Sequence, residues 1–337
     1  MKYLTRSTIA LLSAAVLMTG CFSSETRSAQ KKEENKTVPP ATQTLKVLLI
    51  GNSYSFSTRT FLPAIAKAER CKLDLVIAGI GGCTLERHIQ ERNKSLTDPQ
   101  HKPYRINSRT RVSLDEALKL QKWDVIAIQQ ASHKSWKKES FQPWADQLIA
   151  LIRKTNPQAE IVIQQTWSYN GGDIHFKGID SNGEPLKKTW NIDQKEMYEK
   201  LTENYLFLAK ANSFRVVPVG LAVQYSRVNN PKQFPRMTPA YKDSLALRSD
   251  LPKTEDVVGE VKWSKNKENK SVLVCDMIHL NREGQYLQAC VWFGFLFNRN
   301  PSEIKYIPAE MSKERVLFMR QCARKALENF KQIKNKP

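Results

Sequence analysis

Acidic residues are in short supply in this chain of 337 residues: 33 Asp and Glu face 53 Lys and Arg, a formal net charge of +20. Such a field draws anionic partners toward the surface and disfavours cationic ones. Cys-x-x-Cys pairs and His/Cys zinc spacings are missing, which removes the usual sequence signs of a structural metal site. The glycine run Gly79-Ile80-Gly81-Gly82 lacks the Gly-x-Gly-x-x-Gly spacing and follows the second predicted strand, not the first, so a dinucleotide cofactor is not indicated. No internal repeat is visible. The apolar run from Ile9 to Met18 falls short of the about 20 residues that a membrane-spanning helix requires.

What is present begins with an address. Lys2 and Arg6 precede that apolar run, which gives way to Thr19, Gly20 and Cys21, the layout of a bacterial signal peptide. Met18-Thr19-Gly20-Cys21 resembles a lipobox, so residues 1–20 are expected to be removed and Cys21 to carry a lipid that anchors the protein in the cell envelope. Residues 21–44, rich in Ser, Thr, Lys, Glu, Gln and Pro, bury too little to offset the entropy of ordering and read as a flexible tether. The folded domain is expected over 45–337. Nucleic acid is the usual partner of a basic chain, yet an exported lipoprotein seldom meets it, and acidic polysaccharide or anionic envelope lipid suits the compartment better. Cys83 and Cys275 flank the motifs described next and make an attractive disulfide pair; buried free thiols are the simpler expectation.

From Leu45 onward, short apolar runs alternate with amphipathic segments. Strands are predicted at Leu45–Ile50, Leu73–Ala78, Trp123–Ile128, Glu160–Gln165 and Phe214–Val219, and helices at Phe61–Glu69, Ser113–Gln121, Trp144–Ile152 and Asp193–Ala211. Alternation of this kind argues for an α/β fold with a parallel sheet covered on both faces, whose ligands sit beyond the carboxyl ends of the strands. Those ends carry Gly51-Asn52-Ser53, Gly81-Gly82-Cys83, Gln129-Gln130 and Gln165-Thr166-Trp167. Between 226 and 270 periodicity fails, and the segment reads as an irregular excursion near the site.

Ser53, just past the first strand, stands where a nucleophile can be held exposed, although Ser55 breaks the Gly-x-Ser-x-Gly elbow pattern. Asp276 and His279 lie three apart, so an acid can orient an imidazole that accepts the serine proton. Gly51-Asn52-Ser53, a glycine after the second strand and the terminal Asp276-x-x-His279 with Gly284 together resemble the blocks of the SGNH (GDSL-like) hydrolase superfamily; more narrowly, Gly81-Gly82-Cys83-Thr84-Leu85-Glu86-Arg87-His88, Gln129-Gln130-Ala131-Ser132-His133 and Gln165-Thr166-Trp167-Ser168-Tyr169 are similar to a bacterial branch of it. That resemblance implies a flavodoxin-like three-layer α/β/α sandwich with a five-stranded parallel sheet, and cofactor-free ester hydrolysis, often of acyl groups on carbohydrates. It further implies a triad of Ser53, Asp276 and His279 and an oxyanion hole from the backbone N–H groups of Ser53 and Gly82. The family's third donor, an Asn side chain, is missing; Gln130 is the favoured replacement and His133 the alternative.

His88, Gln129 and Trp167 are expected to contact substrate, and Trp136, Trp167 and Trp190 to offer a stacking platform for sugar rings. Each has a plainer reading as a strand-end, capping or core residue. A metal centre on His133, Asp276 and His279 would lack clear further ligands. The expected activity is hydrolysis of acyl esters, acetyl foremost, on a carbohydrate or envelope glycan. A lipoprotein that keeps the fold and binds glycan without turnover is the alternative.

Overall fold

The computed structural model describes residues 44–106, 110–170, 192–230, 244–245, 251 and 256–334. The expected signal peptide, Cys21 and the tether up to residue 43, with Trp190, lie outside the described residues. Strands β1 (Leu45–Gly51), β2 (Leu73–Gly79), β5 (Val125–Ile128), β6 (Glu160–Gln164) and β7 (Arg215–Val217) form one parallel sheet in the order β2-β1-β5-β6-β7. A short antiparallel pair, β3 (Tyr104–Arg105) and β4 (Arg111–Val112), sits in the connection after β2. The central strands are buried along nearly their whole length, as continuous runs such as Leu48-Leu49-Ile50 and Val125-Ile126-Ala127-Ile128 require. This is the flavodoxin-like strand order.

Right-handed crossovers then dictate the layers. The step from β1 through α2 (Leu62–Ala68) to β2 runs one way along the sheet and places α2 on one face. Every later step runs the other way, so α3 (Leu85–Thr97), α4 (Leu114–Lys119), α5 (Trp144–Thr155) and α6 (Gln194–Asn212) belong to the opposite face. After β7 the chain returns to the first face with α7 (Val219–Val228), α8 (Arg282–Phe297) and α9 (Lys313–Lys334), which pack on one another, α8 also packing on α2. The order reverses between β1 and β5. The crevice at the carboxyl end of β1, occupied by α1 (Ser53–Phe56), is therefore where a ligand site belongs.

The segment read as an irregular excursion is partly regular. It contains the end of α7 and strand β8 (Val258–Lys265), which pairs antiparallel with β9 (Ser271–Leu280) as a separate hairpin. Lys, Asn, Glu and Ser dominate the turn and one strand, which hides the period-two pattern of a hairpin whose sides are only half buried.

Candidate active site

β1 ends at Gly51, beside which the Ser55 hydroxyl and the Gln129 side chain leave no room for a Cβ. Asn52 then caps α1: its Oδ1 accepts the N–H of Tyr54 (3.1 Å) and a Gln129 amide proton (2.8 Å), and its Nδ2 donates to the Cys83 carbonyl (3.0 Å). One buried side chain thus ties the turn after β1 to the turn after β2. That second turn closes from Cys83 N–H to Ile80 O (3.1 Å), with Gly82 at φ +62°, a conformation that favours glycine at the third position of a turn. Among the described residues neither the N–H of Ser53, the first of α1, nor that of Gly82 has a hydrogen-bond partner.

The third part comes from the hairpin. In a regular strand, residues three apart point to opposite faces, so Asp276 and His279 could not converge. Between the pairs Val258/Leu280 and Glu260/Asp276 the register slips: Gly259 alone opposes Met277, Ile278 and His279, which bulge from the ladder. Gly259 adopts φ +100°, and a Cβ there would lie 2.7 Å from the Asp276 carbonyl. Within the bulge Asp276 Oδ1 accepts the N–H groups of Ile278 (2.8 Å) and His279 (3.0 Å), and Oδ2 lies 2.8 Å from His279 Nδ1. On the far side of the ring, Nε2 is 3.0 Å from Ser53 Oγ, 226 positions away in the chain. Burial works to raise the Asp276 pKa, but the bonds from the His279 ring and from the two backbone N–H groups outweigh it and hold the carboxylate at about 2. Gly284 follows in the first turn of α8, where the Val257 carbonyl occupies the space a side chain would need.

Several expected contacts are corrected. Gln130 is no oxyanion donor: it is fully buried, its Oε1 accepts the N–H groups of Leu85 and Ala131, and its Nε2 donates to the carbonyl and hydroxyl of Ser140. Gln129 is no substrate ligand either. It is a link in a chain of buried amides that runs from Asn52 through Gln129 and Gln164 to Gln288 and Trp292 of α8, with Ser57 at its end. Trp167 is wholly buried with its ring stacked on Tyr54, which removes it from any sugar platform. Cys83 is a buried free thiol, which burial pushes up to about 12; the side chain of Cys275 lies outside the described residues. His133 is half-buried in the turn after β5. Among the described residues no group of three or more His, Cys, Asp and Glu side chains is placed to hold a metal ion.

His88 is also corrected, from substrate contact to core. It is fully buried, with Nδ1 2.9 Å from the Tyr104 hydroxyl and Nε2 without a partner among the described residues. Burial, followed by the neighbouring Arg87 charge, lowers its pKa to about 3, so the ring is neutral in the fold. The unfolded chain takes up that proton below its ordinary value of 6.5, and stability is therefore lost as pH falls from there toward 3. The slope from this group approaches about 1.4 kcal/mol per pH unit. Urea denaturation across that range is expected to show a flatter pH dependence in His88→Gln than in the parent. Equal slopes would mean that the ring is not held neutral.

The domain of unknown function DUF4886 matches residues 46–238, more than half of the chain. The chain belongs to the DUF4886 family. The matched span includes the Ser53 and Gly82 turns of the DUF4886 chain and ends before Asp276 and His279. Among solved structures, it is similar to a DUF4886 family protein from Bacteroides uniformis ATCC 8492, with 24% identity and a TM-score of 0.60 over 85% of this chain and 95% of that one. It is also similar to a candidate SGNH hydrolase from Slackia heliotrinireducens, with 17% identity and a TM-score of 0.43 over 74% and 97%. A candidate GDSL-like lipase from Parabacteroides merdae ATCC 43184 follows, with 13% identity and a TM-score of 0.40 over 76% and 99%. No curated protein matches the chain.

Proposed function

We propose that this protein is a serine esterase that transfers an acyl group, acetyl foremost, from a carbohydrate ester to water. The observation that carries the reading is the continuous line from Ser53 Oγ to His279 Nε2 (3.0 Å) and from His279 Nδ1 to Asp276 Oδ2 (2.8 Å). Ser53 Oγ attacks the ester carbonyl while His279 Nε2 takes its proton; the same proton passes to the departing alcohol as the C–O bond breaks. Water, deprotonated by His279, then attacks the acyl-serine and releases the carboxylic acid. The N–H groups of Ser53 and Gly82, which have no partner among the described residues, supply two donors to the oxyanion, and His133, in the turn after the third central strand, completes the set now that Gln130 is committed elsewhere. The excess of basic residues favours an anionic glycan as the carrier of the ester. Export and a lipid anchor at Cys21 would put the enzyme in the bacterial envelope beside such glycans.

Release of acetate from acetylated acidic polysaccharides, compared with neutral ones and with p-nitrophenyl acetate, tests this reading. Turnover on the small ester, undiminished by chelator, is the expected result, with the acidic glycan favoured over the neutral one. Glycan binding with no release of acid from any ester would support a binding lipoprotein instead, and loss of turnover with chelator would support a metal-dependent hydrolase.

A further inference from the structure

The bulge that carries His279 poses an accounting problem. Met277, Ile278 and His279 leave the β8–β9 ladder, and each backbone group released in a half-buried place must find another partner. The N–H groups of Ile278 and His279 go to Asp276 Oδ1, and the Met277 carbonyl accepts the Asn170 N–H (2.9 Å). The Ile278 carbonyl receives two donors: the Tyr54 hydroxyl at 2.7 Å and the Trp167 indole N–H at 2.9 Å. These two rings lie flat against each other, with centroids 3.7 Å apart and planes 2° from parallel, and both are buried. Tyr54 also meets the His279 ring edge-on at 5.9 Å. Its hydroxyl remains a donor across the working pH range, because burial raises its pKa.

We propose that Tyr54 and Trp167 are positioning residues for the catalytic imidazole, acting as a stacked clamp on the carbonyl of Ile278. The inference rests on the esterase reading. Tyr54 directly follows the nucleophile, so one residue ties the serine turn to the strand end that delivers the base. Trp167 comes from the end of β6 and fixes the same carbonyl against the sheet. The hairpin is not part of the central sheet; Asn170 holds its Met277 and Val258 carbonyls, and the clamp on Ile278, the residue before His279, is the tie that reaches the serine turn and sets the Ser53 to His279 distance. A carbonyl freed from both donors lets the bulge drift, and an error of about 1 Å in a reacting group costs on the order of 100-fold in rate.

Tyr54→Phe and Trp167→Phe each remove one donor and keep an aromatic ring in the stack. On p-nitrophenyl acetate each is expected to lower kcat about tenfold and the double variant about 100-fold, with KM within about twofold of the parent. Deuterium exchange in a peptide spanning 276–280 should quicken in the double variant, while peptides from the central sheet exchange as before. Unchanged kcat in a folded double variant overturns the clamp, as does a rise in KM with kcat preserved. If the parent itself has no turnover, the esterase reading fails, and the exchange rate over 276–280 alone decides whether the two donors hold the strand end.

Discussion

Ser53→Ala is expected to lower kcat for p-nitrophenyl acetate by about 10⁴-fold or more, leaving only what the oxyanion donors and substrate binding can do without a nucleophile. The loss should come without a loss of stability. Ser53 is only half-buried, is not the residue that caps α1, and gives up a single hydrogen bond, to His279. Asn52 performs the capping and joins the two turns, and it is untouched. Thermal unfolding of the variant should therefore match the parent while turnover disappears. A variant as active as the parent would remove Ser53 from the chemistry.

Replacement of Asp276 by Asn separates geometry from charge. Asn can keep an oxygen toward the N–H groups of Ile278 and His279, so the bulge can persist. Its NH₂ would then face His279 Nδ1, donate to it, and leave the proton on Nε2, the nitrogen that must accept from Ser53. A fall of about 10⁴-fold in kcat is expected from that wrong tautomer, with the fold retained at neutral pH. The low pKa of Asp276 has a further consequence. Its folded value lies below the unfolded 3.8, so the stability it contributes is present above that pH and lost only as pH falls toward 2. Any acid limb of activity nearer neutrality must therefore come from another group. An Asp276→Asn protein within tenfold of the parent would make the carboxylate a structural part of the bulge and no more.

The central sheet was legible because its strands are buried on both faces and written as short unbroken apolar runs. The five predicted strands match β1, β2, β5, β6 and β7 to within two residues at each end. No helix is predicted after Ala211, although α7, α8 and the long amphipathic α9 all follow it. Ser53, Asp276 and His279 stand out by residue type and by their place beside apolar runs, and the structure puts His279 within hydrogen-bond distance of the other two. The bulge that makes this possible was not legible, since its cause is Gly259 on the opposing strand, inside a segment whose polar composition suggested irregularity. The misplaced roles of Gln130, Gln129, His88 and Trp167 share one physical origin. A polar or aromatic residue just past a strand end, or in the first turn of the helix that follows as His88 is in α3, can face solvent or turn inward, and only the packed neighbours, Ser140, Asn52, Tyr104 and Tyr54 respectively, decide which. Asn52 and Tyr54, which lock the nucleophile turn in place, flank Ser53 in the sequence without any pattern that sets them apart.

Reaction of the purified protein with a fluorophosphonate probe, followed by mass mapping of the modified peptide, addresses the central claim most directly, because only an activated serine beside an oxyanion hole forms the adduct rapidly. A single adduct on Ser53, absent from Ser53→Ala and slowed in Asp276→Asn, is the result expected. No adduct, or one on a different residue, would contradict the account.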